Sequence, residues 1–138
     1  MCLAKIHDNL STKRTGYKLL HRSVSGRLFT GQCGAAEVEL KLGEWVTDPN
    51  KCATIGISGG VTYKPGFHIF LNLNEARRIQ RLDHTGVAPG SSTNIIIKVR
   101  FRKQVAYGNI QWDFNHSSGE LTTEAVVAKQ VMVTEVME

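Results

Sequence analysis

Cysteines are few in this chain, and none has the spacing of a metal site or a redox centre. Cys2, Cys33 and Cys52 are odd in number and form no C-x-x-C pair. Because structural zinc takes about four ligands in closely spaced groups, the sequence predicts no metal site. It predicts free thiols in a cytoplasmic chain, and nothing in it indicates a bound cofactor.

Long hydrophobic runs are also missing. No apolar stretch approaches the roughly 20 residues of a membrane-spanning helix, and the apolar core of a signal peptide does not follow Lys5. We therefore expect no membrane partner and a cytoplasmic location. With 41% hydrophobic and 21% charged residues, the composition is that of a soluble globular protein. The length of 138 residues predicts a single domain, 1–138.

Nucleotide-binding and catalytic motifs are absent from the sequence. Its glycines form neither G-x-G-x-x-G nor a phosphate-binding loop that ends in Lys-Ser or Lys-Thr. Removal of Met1 would expose Cys2 as an N-terminal nucleophile, but residues 3–8 do not extend that signature. The sequence therefore predicts a protein that is not an enzyme.

Positive charge is what the chain has in excess. Its 17 Lys and Arg residues against 12 Asp and Glu give a formal net charge of +5. Such an excess attracts anions and disfavours acidic partners. The distribution of the charges matters more than their sum, since the sum alone does not establish nucleic-acid binding.

Alternating apolar and polar residues predict strands along most of the chain. The predicted strands are residues 17–22, 27–30, 36–42, 53–58, 94–103, 105–107, 110–114, 125–128 and 131–133. The second of these is expected to pair with the first as a hairpin, and a turn at Gly108-Asn109 is expected to separate residues 105–107 from 110–114. Nearly all of these strands are short, and the fold class is α+β with a mostly antiparallel sheet.

One helix is predicted, over about residues 73–83, and it follows an aromatic run. Pro65-Gly66 suits the centre of a type II turn, in which Gly66 would have a positive φ. Asn72 is the expected N-cap, and Glu75 three residues later completes a capping box. The apolar residues Leu73, Ala76, Ile79 and Leu82 have the spacing of a helix packed on a sheet.

Two groups of cations are candidates for contact with an anion. Lys98, Arg100 and Arg102 share one face of the strand at 94–103, where they would suit phosphate groups. Arg77, Arg78 and Arg81 lie on the predicted helix, and Arg77 and Arg81 are one turn apart on the same face. The ordinary alternative for both groups is a solvated surface, and the functional interpretation strengthens if they face one groove.

The aromatic run contains the other candidate ligand-binding residues, Tyr63, Phe67 and His68. The two aromatic rings could stack on a base, and a histidine with a pKa near 6.5 could hydrogen-bond a ligand or act as a general base. The alternative is structural: aromatic residues beside a turn are often core anchors, and such a histidine is often satisfied by backbone groups.

Several short motifs in this order resemble small uncharacterised proteins of tailed bacteriophages. The motifs are Met1-Cys2-Leu3, Gly16-Tyr17-Lys18, Gly43-Glu44-Trp45, Tyr63-x-x-Gly66-Phe67-His68-Ile69-Phe70 and Val126-Val127-Ala128-Lys129. The resemblance implies a phage accessory protein in the bacterial host cytoplasm, of the size of proteins that counter host defence. It carries no assigned activity.

Two functions follow as hypotheses. In the first, the protein sequesters a phosphate-bearing, nucleotide-derived small molecule, with Lys98, Arg100 and Arg102 at the phosphates and Tyr63, Phe67 and His68 at the base or ribose. We expect a homo-oligomer in that case, because pockets often form between subunits. In the second, the protein covers a surface of a host defence protein or of a nucleic acid. A small enzyme acting on nucleotides is the remaining alternative.

Overall fold

The computed structural model describes residues 3–23, 25–30, 38–50, 55–56, 62–82, 93–113 and 120–137. In chain order the elements are β1 (Leu3–Ile6), β2 (Thr15–Arg22), β3 (Leu28–Thr30), β4 (Val38–Leu40), β5 (Trp45–Thr47), β6 (Ile55–Gly56), β7 (Thr62–Tyr63), β8 (Phe67–Phe70), α1 (Leu73–Leu82), β9 (Thr93–Asp113) and β10 (Glu120–Met137). Antiparallel strands dominate these residues and a single helix occurs among them, which confirms the predicted α+β class.

Four of the strands pair in a closed ring. β9 pairs with β10 along most of its length and with β2 through residues 93–100. β8 pairs with residues 125–128 of β10 and also reaches β2, where Tyr17 faces Phe70. β1 adds to β9, β5 adds to β10, and β3 and β4 continue from β2. Every strand of the ring therefore has a partner on each side.

Alternation along β9 divides the buried residues into two clusters. Ile97, Val99 and Phe101 belong to a cluster that takes side chains from all four ring strands, so we describe this cluster as the interior. Ile96 points the other way and belongs to a second, outer cluster, in which Ala76 and Ile79 of α1 are fully buried. The outer face of the sheet thus carries the helix at the Ile96 end of β9.

The start of α1 follows the predicted capping chemistry in part. The side-chain Oδ1 of Asn72 accepts the backbone N–H of Glu75 at 3.1 Å, which confirms the N-cap. The carboxylate of Glu75 does not complete a capping box; it accepts a hydrogen bond from the hydroxyl of Thr123 on β10. The helix is therefore tied to the long strand next to it. Residue 83, the predicted end, lies outside the described residues.

The strand β9 is much longer than predicted, and the expected turn at Gly108-Asn109 is wrong. Gly108 pairs with Ala125 of β10 and Asn109 with Glu124, so the ladder continues through both. Gly108 is required by a close approach, because a Cβ there would stand 1.8 Å from the carbonyl oxygen of Lys5 on β1. On the partner strand, the predicted runs 125–128 and 131–133 merge into β10 in the same way.

Gly66, like Gly108, allows a neighbouring strand to approach closely, and it does not form the expected turn. It is not among the positive-φ residues of the described chain, which are Gly26, Gly43 and Lys103, so it does not have the expected type II geometry. A Cβ at Gly66 would lie 2.8 Å from the carbonyl oxygen of Ala128 on β10. The absence of a side chain lets the start of β8 pass close to β10.

The remaining strand predictions differ mainly in their bounds. The predicted hairpin of residues 17–22 and 27–30 is confirmed, since His21 pairs with Phe29. The strand expected over 36–42 is described only as β4, and that over 53–58 only as β6. The three cysteines and the loop after the helix lie outside the described residues.

The ring closes at Gly16, and this generates a first prediction. A Cβ at Gly16 would lie 2.5 Å from Cγ2 of Ile69 and 2.6 Å from the carbonyl oxygen of Phe70. Gly16→Ala should therefore push β2 away from β8 and lower the free energy of unfolding by about 1–3 kcal/mol. Urea denaturation measures this value. Thr15→Ala, at the exposed neighbouring position, should change it by less than about 0.5 kcal/mol; equal effects at both positions would contradict close packing at Gly16.

Candidate functional site

Two of the candidate ligand-binding residues form a hydrogen-bonded pair next to β1. The hydroxyl of Tyr63 accepts the backbone N–H of Leu3 at 2.9 Å and shares a second hydrogen bond, also 2.9 Å, with Nε2 of His68. Burial, together with the positive charge of Lys18, lowers the pKa of His68 to about 3. His68 is therefore neutral at physiological pH, and both side chains have partners within the protein.

Phe67, the third aromatic candidate, lies in the interior. Its side chain is fully buried among the residues of the ring, and the ammonium group of Lys18 lies 5.9 Å from its ring centroid. In this conformation the ring of Phe67 has no surface on which a base could stack. A ligand-binding role for this residue stays a prediction that would require the ring of strands to open.

The interior also contains a lysine and an aspartate that the sequence analysis did not select. Lys18 and Asp48 are only 4% and 5% exposed. The Nζ of Lys18 donates to the backbone carbonyl of His68 at 3.0 Å. Oδ1 of Asp48 accepts the backbone N–H of Asn50 at 2.9 Å, whereas its Oδ2 is buried without a hydrogen-bond partner. Buried charges of this kind are costly, so they define an unusual region of the core.

The charge state of Lys18 reflects that cost. Burial lowers its pKa from 10.5 to about 8, and the negative charge of Asp48 opposes this shift without cancelling it. Lys18 alternates with Leu19 in β2 and shares the inward side with Leu20. Sequence alternation alone could have placed Lys18 beside Leu20, but it does not tell which side of a strand becomes the interior.

The three cations of β9 lie on the outer face, away from the aromatic candidates. Arg100 and Arg102 are exposed and Lys98 is half-buried. The guanidinium of Arg102 lies 4.0 Å from the ring centroid of Trp45, and its Nε donates to Oε1 of Gln130 at 2.5 Å. The six predicted site residues therefore do not line one pocket; they divide between the interior, the contact with β1 and an open face of the sheet.

A groove lies between the second half of α1 and the start of β9. Its volume is about 470 Å³. The lining residues are Arg22, Arg77, Gln80, Arg81, Ile95, Ile96 and Met137. Two of the three helix arginines, Arg77 and Arg81, thus face a groove, whereas Arg78 does not line it. Their companion is Arg22 at the end of β2 and not the cations of β9. No local signal in the sequence relates Arg22 to the helix, because the ring closure brings them together.

The electrostatics of this groove favour an anion. Three guanidinium groups line it, and none of the lining residues that the structure describes is acidic. The C-terminal end of α1 contributes a partial negative charge of about half an electron, which the three full positive charges outweigh. Arginine presents a planar set of donors that matches phosphate or carboxylate oxygens. Met137, which is half-buried, offers an apolar contact for a less polar part of the same ligand.

Comparisons with known proteins add no relatives. None of the protein-family models, curated proteins or solved structures compared with the chain matches it. Within the described ranges, no group of three or more His, Cys, Asp and Glu side chains is placed to hold a metal ion. In the same part of the chain, no helix has the length and apolar character needed to cross a membrane.

The buried lysine generates a prediction about pH. An unfolded chain binds the Lys18 proton below about pH 10.5 and the folded protein only below about pH 8, so this group destabilises the fold increasingly as the pH falls between those values. Lys18→Met removes that penalty. The stability of the variant relative to the wild type should be highest at pH 8 and below, and should decline by up to about 3 kcal/mol as the pH rises to 10.5.

Urea denaturation at several pH values between 7 and about 10.5 measures this difference. Lys64→Met is the matched control, because Lys64 is exposed and should give a difference that does not vary with pH. If the stability difference between Lys18→Met and the wild type is also independent of pH, Lys18 is hydrated in the folded protein.

Proposed function

We propose that the protein binds a phosphate-bearing small molecule in the groove between α1 and β9. One observation carries this function: Arg22, Arg77 and Arg81 line a single groove of about 470 Å³, and the described part of its lining contains no acidic residue. Small-molecule sites typically have volumes of roughly 300–1,000 Å³ and combine apolar walls with a few well-placed polar groups. The groove has both features.

Each part of the groove suits a different part of a nucleotide-derived ligand. Arg77 and Arg81 are one helical turn apart and can hold neighbouring oxygens of one phosphate or two linked phosphates, with Arg22 opposite them. Gln80 can both donate and accept a hydrogen bond. The base or ribose would lie against Met137, the half-buried apolar residue of the groove. The groove forms only because α1 packs on the sheet near Ile96.

Sequestration, without turnover, is the biological role that we infer. The resemblance to small proteins of tailed bacteriophages supports a phage protein that acts in the bacterial cytoplasm and removes a nucleotide signal of host defence. In this role we expect no cofactor, no catalysis and a homo-oligomer, since a second subunit would enclose an otherwise open groove. Light scattering on the purified protein measures the oligomeric state.

The ligand test is calorimetry of the purified protein with cyclic dinucleotides, ADP-ribose derivatives and pyrophosphate. We expect at least one of these to bind with a Kd below roughly 100 μM, about −5.5 kcal/mol. Arg77→Gln should weaken that binding by about 1.5–3 kcal/mol, because a charge-assisted hydrogen bond to the phosphate is lost. Loss of affinity without loss of thermal stability would locate the ligand at the helix.

Arg78→Gln is the matched control, since it removes the same charge from the neighbouring position, which is exposed but does not line the groove. It should leave the Kd within about twofold, as surface changes away from a site have small effects. If both variants weaken binding equally, the effect comes from the overall positive charge and not from the groove. If no compound of the panel binds, the proposed small-molecule function is wrong. Mass spectrometry of molecules released from protein purified from infected cells then searches for other ligands.

A further inference from the structure

The outer face of the sheet beyond α1 carries aligned side chains from four strands. Their alignment follows from the register of β2, β9, β10 and β5. The three rows are Tyr17, Lys98 and Glu135; Thr15, Arg100, Met132 and Trp45; and Arg102, Gln130 and Thr47. We call Lys98, Arg100, Arg102 and Trp45 together the basic face. Its three cations follow one another at intervals of about 6.7 Å along β9.

Trp45 and its neighbours fix the position of Arg102. The guanidinium lies over the indole ring at 4.0 Å from the centroid. Its Nε donates to Gln130, whose own amide donates to the hydroxyl of Thr47 at 2.8 Å. These contacts hold a planar cation on an aromatic ring while leaving Arg102 exposed. The exposed plane can stack on a flat group or donate to a phosphate.

The charge of this face is strongly one-sided. In the three rows, three cations stand against one carboxylate, that of Glu135 beside Lys98. Arg100 and Arg102 are both exposed, and α1 occupies the part of the outer face near Ile96 and not this part. The face therefore offers a line of cations next to an aromatic ring, and this line begins at Lys98, two residues along β9 from Ile96 of the anion groove.

We propose that the basic face binds single-stranded nucleic acid, independently of the ligand in the groove. Lys98, Arg100 and Arg102 would contact successive parts of the phosphate backbone, and a base would stack on the Trp45–Arg102 pair. Proteins that bind single strands without sequence preference combine these two elements, a cationic path for the backbone and flat groups for the bases. A duplex keeps its bases stacked internally, and an acidic peptide has no base to stack.

Fluorescence anisotropy with a labelled oligodeoxythymidylate of about 12 nucleotides tests this surface. We expect saturable binding to the full-length protein below roughly 100 μM in low salt. With three phosphate contacts, the logarithm of the binding constant should fall with the logarithm of salt concentration at a slope of about −2, so that binding weakens roughly 20-fold between 50 and 200 mM salt.

Substitutions distinguish the contribution of the positive charges to binding from the contribution of base stacking. Arg100→Gln with Arg102→Gln should weaken binding at least tenfold and reduce the salt slope to about −0.7, because one cation remains. Trp45→Ala should weaken binding roughly 5- to 100-fold, and its slope should stay closer to the wild-type value. Trp45→Phe should restore most of that loss, since it keeps an aromatic ring. Thermal melting of each variant verifies that it folds.

Arg77→Gln with Arg81→Gln is the matched control, since it removes two positive charges from the groove and none from the basic face. Unchanged oligonucleotide binding by this control supports two independent surfaces. An equal loss in both double variants would overturn the basic face as a site, as would absence of binding to the wild type. A duplex or an acidic peptide that binds as tightly as the single strand would overturn the partner that we assign.

Discussion

The pairing of β2 with β9 is the constraint on which the other features depend. It joins two segments that are far apart in the sequence and, with the β2–β8 contact at Phe70, converts a sheet into a closed ring. The inward side of β2 then becomes interior and its outward side becomes surface. Both the burial of Lys18 and the position of Arg22 beside α1 are consequences of this one pairing.

Local features of the fold could be predicted from the sequence, whereas features that depend on distant contacts could not. The strand at 94–103 and the N-cap at Asn72 follow from side-chain alternation and from a hydrogen bond within four residues. The continuous path of β9 through Gly108 depends on the approach of β1, about 100 residues earlier in the chain. In the sequence, a glycine that lets a neighbouring backbone approach looks the same as a glycine that forms a turn. The local sequence therefore does not distinguish these two roles.

For the candidate site, too, the sequence predicts the local features but not the contacts between distant segments. The cations of β9 and of the helix were identifiable as charges, but their neighbours were not. Trp45 meets Arg102 only because β5 pairs with β10, and Arg22 joins Arg77 and Arg81 only through the ring. The aromatic candidates have the opposite outcome: Phe67 packs in the core, and Tyr63 and His68 bind each other. Charged side chains at the surface remain available to ligands, whereas large aromatic side chains gain more by burial.

The buried lysine has a further consequence during synthesis of the chain. Synthesis of β2 is complete about 70 residues before β9 starts, which at 5–20 residues per second leaves it without that partner for roughly 3.5–14 s. Unpaired strands are sites of aggregation, and a charged residue within such a strand opposes pairing with other chains. We therefore expect Lys18, which is costly once it is buried, to oppose pairing of β2 with other chains during that interval.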